Sequence, residues 1–310
     1  MLLALYPPVE GKGITLSPTT QLTPHPRHFP SGERKRRAGY DPPMLTSSLL
    51  GALVGLVLGL TGAGGGILAV PALVFGLHWT MQQAAPVALI AVAGGAAIGA
   101  VEAHRRRLVR WRAALLMAAA GIPCTAPGLH LAQQLSQQWL SLAFAAVLLL
   151  VALRLLHASR LGGERQAEAA IGGLARIDQK TGRIRWTWPS AFLIAGIGAV
   201  SGFMTGLLGV GGGFVIVPLL RRYSGVSMHG IVATSLMVIA VVGGGGVILA
   251  LLHGARPPPE ATAWFAAATA AGMLLGRRLG ARLSARQVQA GFAMLLLGVA
   301  ALMAGRGLGF

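Results

Sequence analysis

Two glycine clusters carry the chemistry this sequence offers: Gly62 with Gly64, Gly65 and Gly66, and Gly209 with Gly211, Gly212 and Gly213, each set inside an apolar run. A glycine costs a helix interior roughly 1 kcal/mol relative to alanine, so three in succession break a helix and free backbone N–H groups in apolar surroundings. Freed groups need partners. Closely spaced amides at the start of a short helix, with its positive dipole end, suit an anion. The same residues would equally serve as a sharp hairpin turn whose amides are satisfied by neighbouring helices, and both readings stand here. Hydroxyls lie close by in sequence: Thr61 directly precedes the first cluster, and Thr234 and Ser235 follow one short segment after the second. Each could add a hydrogen bond to a ligand, although such residues in a spanning helix commonly bond their own i−4 carbonyl. His229, at the head of a run, could take up a proton near neutral pH.

Other chemistries find no support. The order G-x-G-G-G lacks the spacing of a dinucleotide fingerprint, no Lys-Ser/Thr follows it as a phosphate loop requires, and no HExxH, paired CxxC or GxSxG is present. No enzyme signature, cofactor or metal is expected. From Met44 onward there are five acidic residues, Glu102, Glu164, Glu168, Asp178 and Glu260, and only Glu102 touches an apolar run. A cation in low dielectric needs a counter-charge, so a cation substrate is disfavoured.

The clusters belong to a repeat. GALVGLVLGLTGAGGGILAVP (51–71) returns 147 residues later as GAVSGFMTGLLGVGGGFVIVP (198–218), with eleven of 21 positions identical. Gly51, Gly55 and Gly59, with Gly198, Gly202 and Gly206, recur at four-residue spacing and read as smooth ridges for close helix packing. The chain is thus an internal duplication, with glycine-interrupted segments at corresponding places in its halves, the pattern of a secondary transporter with a site at the repeat interface.

Composition sets the elements that must position these residues. With 54% apolar and 11% charged residues and a mean hydropathy of +0.67, the chain reads as an all-α polytopic membrane protein in a plasma (inner) membrane. Apolar runs fall at about 45–61, 63–78, 84–103, 113–131 and 137–156, then at 189–207, 210–220, 228–252, 261–276 and 287–305. The pieces after each cluster are too short for a full span and read as half-helices, giving 8–10 membrane segments. The formal charge of +18 sits mainly in short loops, where it sets topology rather than recruiting nucleic acid. Placing all the basic loops on the cytoplasmic side requires five segments per half and inverts the second half relative to the first; four per half would leave some of them outside. Residues 44–156 form the first membrane repeat, 157–188 a charged cytoplasmic linker and 189–310 the second repeat. Residues 1–43, with Arg34 to Arg37 and no leader-like apolar core, read as a disordered basic tail, and Met44 is an alternative start.

The repeated G-x-G-G-G-x-x-x-x-P, the tract Ala233-Thr234-Ser235-Leu236 and the stretch Gly276-x-x-x-Gly280-x-x-Leu283 together resemble the TauE/SafE family of sulfite exporters. The resemblance spans roughly 45–305. It implies a transporter of small inorganic or organic anions such as sulfite or organosulfonates, built as two homologous halves, with the lipid bilayer and candidate coupling protons as its other partners. The first half departs from the pattern, reading Pro86-Val87-Ala88-Leu89 without hydroxyls. A non-transporting membrane scaffold and a cation carrier are the alternatives, and the oligomeric state is open.

Overall fold

The computed structural model describes residues 42–62, 64–160, 187–223, 227–280 and 284–308. The expected tail up to residue 41 and the linker between 161 and 186 lie outside the described residues. The described chain is helical, without strands. Its first half comprises α1 (Pro42–Thr61), a 3₁₀ turn (Gly65–Leu68) leading into α2 (Ala69–Gly76), α3 (Met81–Arg105), α4 (Trp111–Gln134) and α5 (Gln137–Arg160). Its second comprises α6 (Trp188–Leu208), α7 (Gly213–Tyr223), α8 (Met228–Leu252), α9 (Pro259–Gly280) and α10 (Ala285–Leu308). The offset of the glycine motif carries through the architecture, since α3 and α8 begin and end 147 residues apart. Seven of these helices are long and apolar enough to cross a membrane, all the long ones except α9.

Local sequence explains the helix boundaries. Thr80 caps α3 in a reciprocal box with Gln83, Thr187 caps α6 with Ser190, and Ser227 accepts the Gly230 amide at the start of α8. Trp111, Trp139, Trp188 and Trp264 stand exposed at or near helix ends, as an interfacial aromatic belt requires. The apolar runs proved shorter than the helices at most ends because polar residues such as Arg105 and Gln134 extend the terminal turns.

Glycine ridges join the halves. Gly51, Gly55 and Gly59 of α1 press in order against the backbone of Phe265, Thr269 and Met273, so α1 and α9 run side by side in the same direction. Gly198, Gly202 and Gly206 of α6 meet Met117, Gly121 and Thr125 of α4 in the same way. Each ridge therefore docks on a helix of the opposite half, as close backbone approach without a Cβ allows. α3 and α8 cross antiparallel at the centre, with Leu89 against Gly246, Ala93 against Gly243 and Gly99 against Leu236. Neither α2 nor α7 completes a span. Gly65 packs over Leu58 and Gly76 against Leu50, so α2 folds back along α1 as a hairpin arm.

Candidate functional site

The two clusters meet where α3 and α8 cross. Val92 of α3 packs against both Gly66 and Gly211, while Ile239 of α8, its counterpart 147 residues on, packs against Gly211. Gly62 faces Val232 and Gly209 faces Ala85, again an exchange between halves. Backbone conformation separates the copies. Gly209, Gly211 and Gly212 all have positive φ (70°, 74° and 64°), whereas Gly62 is the left-handed glycine of the first copy, at 83°. The first cluster runs on into a 3₁₀ turn and the second opens directly into α7. In both copies the leading glycine is spoken for: the Gly62 amide donates to Leu58 O at 2.9 Å and the Gly209 amide to Thr205 O at 2.9 Å, ending α1 and α6.

A cavity of about 1470 Å³ opens on the first cluster. Thr61, Gly62 and Gly64 line it together with Phe214, Val232 and Phe292, while Arg106, Arg154, Arg221, Arg222 and Arg277 and the imidazoles of His157 and His229 ring it. No carboxylate is among its walls in the described residues. These basic side chains come from the C-terminal ends of α5, α7 and α9, the turn after α3 and the start of α8, which all lie at one end of the bundle. The positive-inside bias would place such an end on the cytoplasmic side. Among the described residues, the basic side chains that ring the cavity therefore gather at one end of the bundle.

The expected site residues divide. Gly62, Gly64 and Thr61 reach the cavity; Gly65, Gly66, Gly209, Gly211, Gly212, Gly213, Thr234 and Ser235 do not. The Thr61 hydroxyl donates to Val57 O at 2.8 Å. Thr234 is buried, donates to Gly230 O at 2.7 Å and accepts the Arg110 amide at 3.1 Å, so it ties the turn after α3 to α8. Ser235, also buried, donates to Val232 O at 2.9 Å. These hydroxyls are engaged by the chain itself, in the back-bonding pattern of spanning helices. Arg106 lines the cavity, whereas its neighbour Arg105 does not. Arg277, directly after Gly276 and three residues before Gly280, reads in sequence only as one of the basic loop residues, although its place in the same tract as the family-like glycines is a usable signal.

One carboxylate stands behind the basic ring. Glu102 pairs through Oε1 with Arg106 Nη2 at 2.9 Å and through Oε2 with Arg277 Nη1 at 2.7 Å, linking α3 of the first half to α9 of the second.

The comparisons agree with this architecture, because the sulfite exporter TauE/SafE family matches residues 47–303, both halves and every helix around the cavity. The chain belongs to that family. Among curated relatives, the chain is 26% identical over 190 residues to a probable membrane transporter protein of Xylella fastidiosa strain 9a5c, covering 61% of this chain and 67% of the relative. The same figures hold for the protein of that name from Xylella fastidiosa strain Temecula1. No solved structure matches the chain. This TauE/SafE member is thus a multi-pass membrane transporter, in accord with its spanning helices.

Proposed function

We propose that the protein is a secondary transporter of small anions, such as sulfite or organosulfonates, and that it exports them from the cytoplasm by alternating access. The basic cavity carries this reading. Five arginines around a space that descends to a helix-breaking glycine cluster raise the local anion concentration and, between low-dielectric walls, act over a longer range than in bulk water. Arginine keeps its charge at any physiological pH and fits oxyanions through its planar fork. A cation would face the same arginines, with Glu102 behind them already paired to Arg106 and Arg277, which argues against a cation carrier. A purely structural scaffold would collect arginines at one end for topology alone, but gives no reason for a cavity there to descend to a glycine break.

In the proposed cycle the open end is cytoplasmic. The anion is drawn past Arg221, Arg222 and Arg154, and settles near Thr61, Gly62 and Gly64 at the start of the α2 arm. The central crossing of α3 and α8, where Val92 and Ile239 pack on the glycines, closes the path beyond. We read the halves as inverted repeats; the antiparallel crossing of α3 with α8 and the exchange of glycine ridges between halves support that reading. In an inverted pair the second cluster, Gly209 with Gly211 to Gly213, is the counterpart that would face the opposite side. Thr234 holds α8 and the turn after α3 together behind the cavity wall, while Ser235 bonds within α8.

The test is flux in liposomes containing the purified full-length protein. Sulfite and methanesulfonate loaded inside should exchange with external label, and excess external sulfite should compete while potassium or sodium should not. Competition by cations alone, or no flux of any anion, would remove the reading.

A further inference from the structure

Resting on the proposed anion transport, we propose that Arg277 is the anion-binding residue of the cavity and that Glu102 is its built-in competitor, a tethered carboxylate that holds the site while substrate is absent. Arg277 is fixed from behind. The ridge residue Gly59 packs on the Met273 carbonyl and the Arg277 amide, so the root of Arg277 sits beside the end of α1, three residues before Gly62. Its side chain lines the cavity and is 28% exposed, against 67% for Arg106. Of the two arginines that Glu102 touches, Arg277 is thus the one held deeper.

The pairing is close but not well formed. Arg277 Nη1 lies 2.7 Å from Glu102 Oε2, yet this buried nitrogen makes no hydrogen bond of acceptable geometry. Short distance with poor aim leaves directional bonding capacity unused, and a mobile oxyanion free to align with the guanidinium fork can make the bidentate pair that the tethered carboxylate does not. Glu102 already has a second place to go. It bonds Arg106 at 2.9 Å on the cavity rim, so release from Arg277 leaves it paired rather than stranded. The ligand class follows from what the carboxylate stands in for: a compact oxyanion presenting two oxygens in one plane edge, as sulfite, a sulfonate or a carboxylate does. A halide, with a single centre, gains nothing from the fork.

The device also places a cost on emptiness. Without Glu102 the empty cavity would hold an uncompensated arginine beside a glycine break between the two halves; with it, α3 and α9 are clamped until an anion replaces the clamp.

Sulfite binding to the purified full-length protein by calorimetry, with methanesulfonate and chloride alongside, tests this, together with sulfite flux in liposomes. Removing a partly exposed competing charge should tighten binding on the order of two- to fivefold. Glu102→Gln is therefore expected to lower Kd for sulfite and methanesulfonate by that factor, tighten chloride less because a halide gains the charge but not the fork, and slow maximal flux because release is harder. Arg277→Gln should abolish oxyanion binding, and the double variant should match it. Arg277→Lys keeps the charge without the fork; should Arg277→Gln not fold, the lysine variant is expected to lose the preference for sulfite over chloride. Wild-type flux with an unchanged Kd in folded Glu102→Gln protein would overturn the competitor role while leaving anion transport standing. Retention of wild-type sulfite affinity by Arg277→Gln would overturn the binding role. Absence of anion flux and binding in the wild type would overturn the transport reading itself.

Discussion

Gly202→Ala measures how much of this fold depends on backbone contact between the halves. A methyl carbon at Gly202 would lie 2.5 Å from the Gly121 carbonyl carbon, 2.6 Å from its Cα and closer still to its oxygen. Carbon atoms pack comfortably at about 3.5–4.0 Å, so α4 and α6 would have to part by roughly 1 Å. No flexible side chain can yield, because every one of those atoms is backbone of a helix. A gap of that size forfeits a quarter to a half of each dispersion contact along the seam, and overpacking of this kind costs about 1–3 kcal/mol. Alanine returns up to about 1 kcal/mol through its better helix propensity. Gly196, on the same helix, supplies the reference, since a methyl there meets nothing within 4 Å and only the propensity gain remains. The propensity gain is common to both variants, so Gly202→Ala should be less stable than Gly196→Ala by the packing cost alone, roughly 1–3 kcal/mol. Thermal unfolding of the purified protein in one detergent, with all three proteins side by side, reads the difference as several degrees. If Gly202→Ala unfolds at or above Gly196→Ala, the ridge is not a packing seam and the account of how the halves join is wrong.

Further outcomes follow from the same geometry. Reporter fusions after Arg107 and after Arg222 should be cytoplasmic and one after Trp79 periplasmic, because Arg106 and Arg222 ring one cavity while α2 turns back from it; a periplasmic Arg222 fusion would refute a single basic end. Thr234→Val removes the hydroxyl that accepts the Arg110 amide and so leaves a donor in the turn after α3 without that partner. It should lower stability by about 1–3 kcal/mol while leaving the sulfite Kd of the folded fraction unchanged, and a weakened Kd at wild-type stability would instead return Thr234 to the binding site.

Much of the fold was legible because a membrane leaves the chain few options. Every backbone group must be satisfied within a helix, so apolar runs and glycine breaks announce the elements almost directly. The predicted run at 228–252 is α8 residue for residue, and the glycine spacing at 51, 55 and 59 foretold a packing ridge. What the spacing could not show was the partner. Nothing in Gly51, Gly55 and Gly59 says that they dock on α9 rather than on a neighbour in their own half, because a smooth face accepts any helix and tertiary packing makes the choice.

The site was legible only where it coincided with a backbone anomaly. Gly62 and Gly64 stand out as helix breakers and do reach the cavity, but a glycine cluster records a bend, and a bend can face a cavity or a sealed core equally well. The second copy, with three left-handed glycines against Ser201, Ala85 and Ile239, is sealed in this structure. Thr234 and Ser235 drew attention because hydroxyls are rare in apolar runs, yet a hydroxyl in a helix finds an i−3 or i−4 carbonyl without needing a ligand. The arginines present the opposite case. As loop charges they had a sufficient topological explanation, and that explanation hid the second consequence of placing them all at one end: loops that share a side of the membrane also share the mouth of whatever opens there. Glu102 could be singled out as the one acid touching an apolar run, but its meaning depends on Arg277, 175 residues away. Only the docking of α9 between α1 and α3 brings that pair together, and it is the pair, rather than either residue, that a substrate anion would have to disturb.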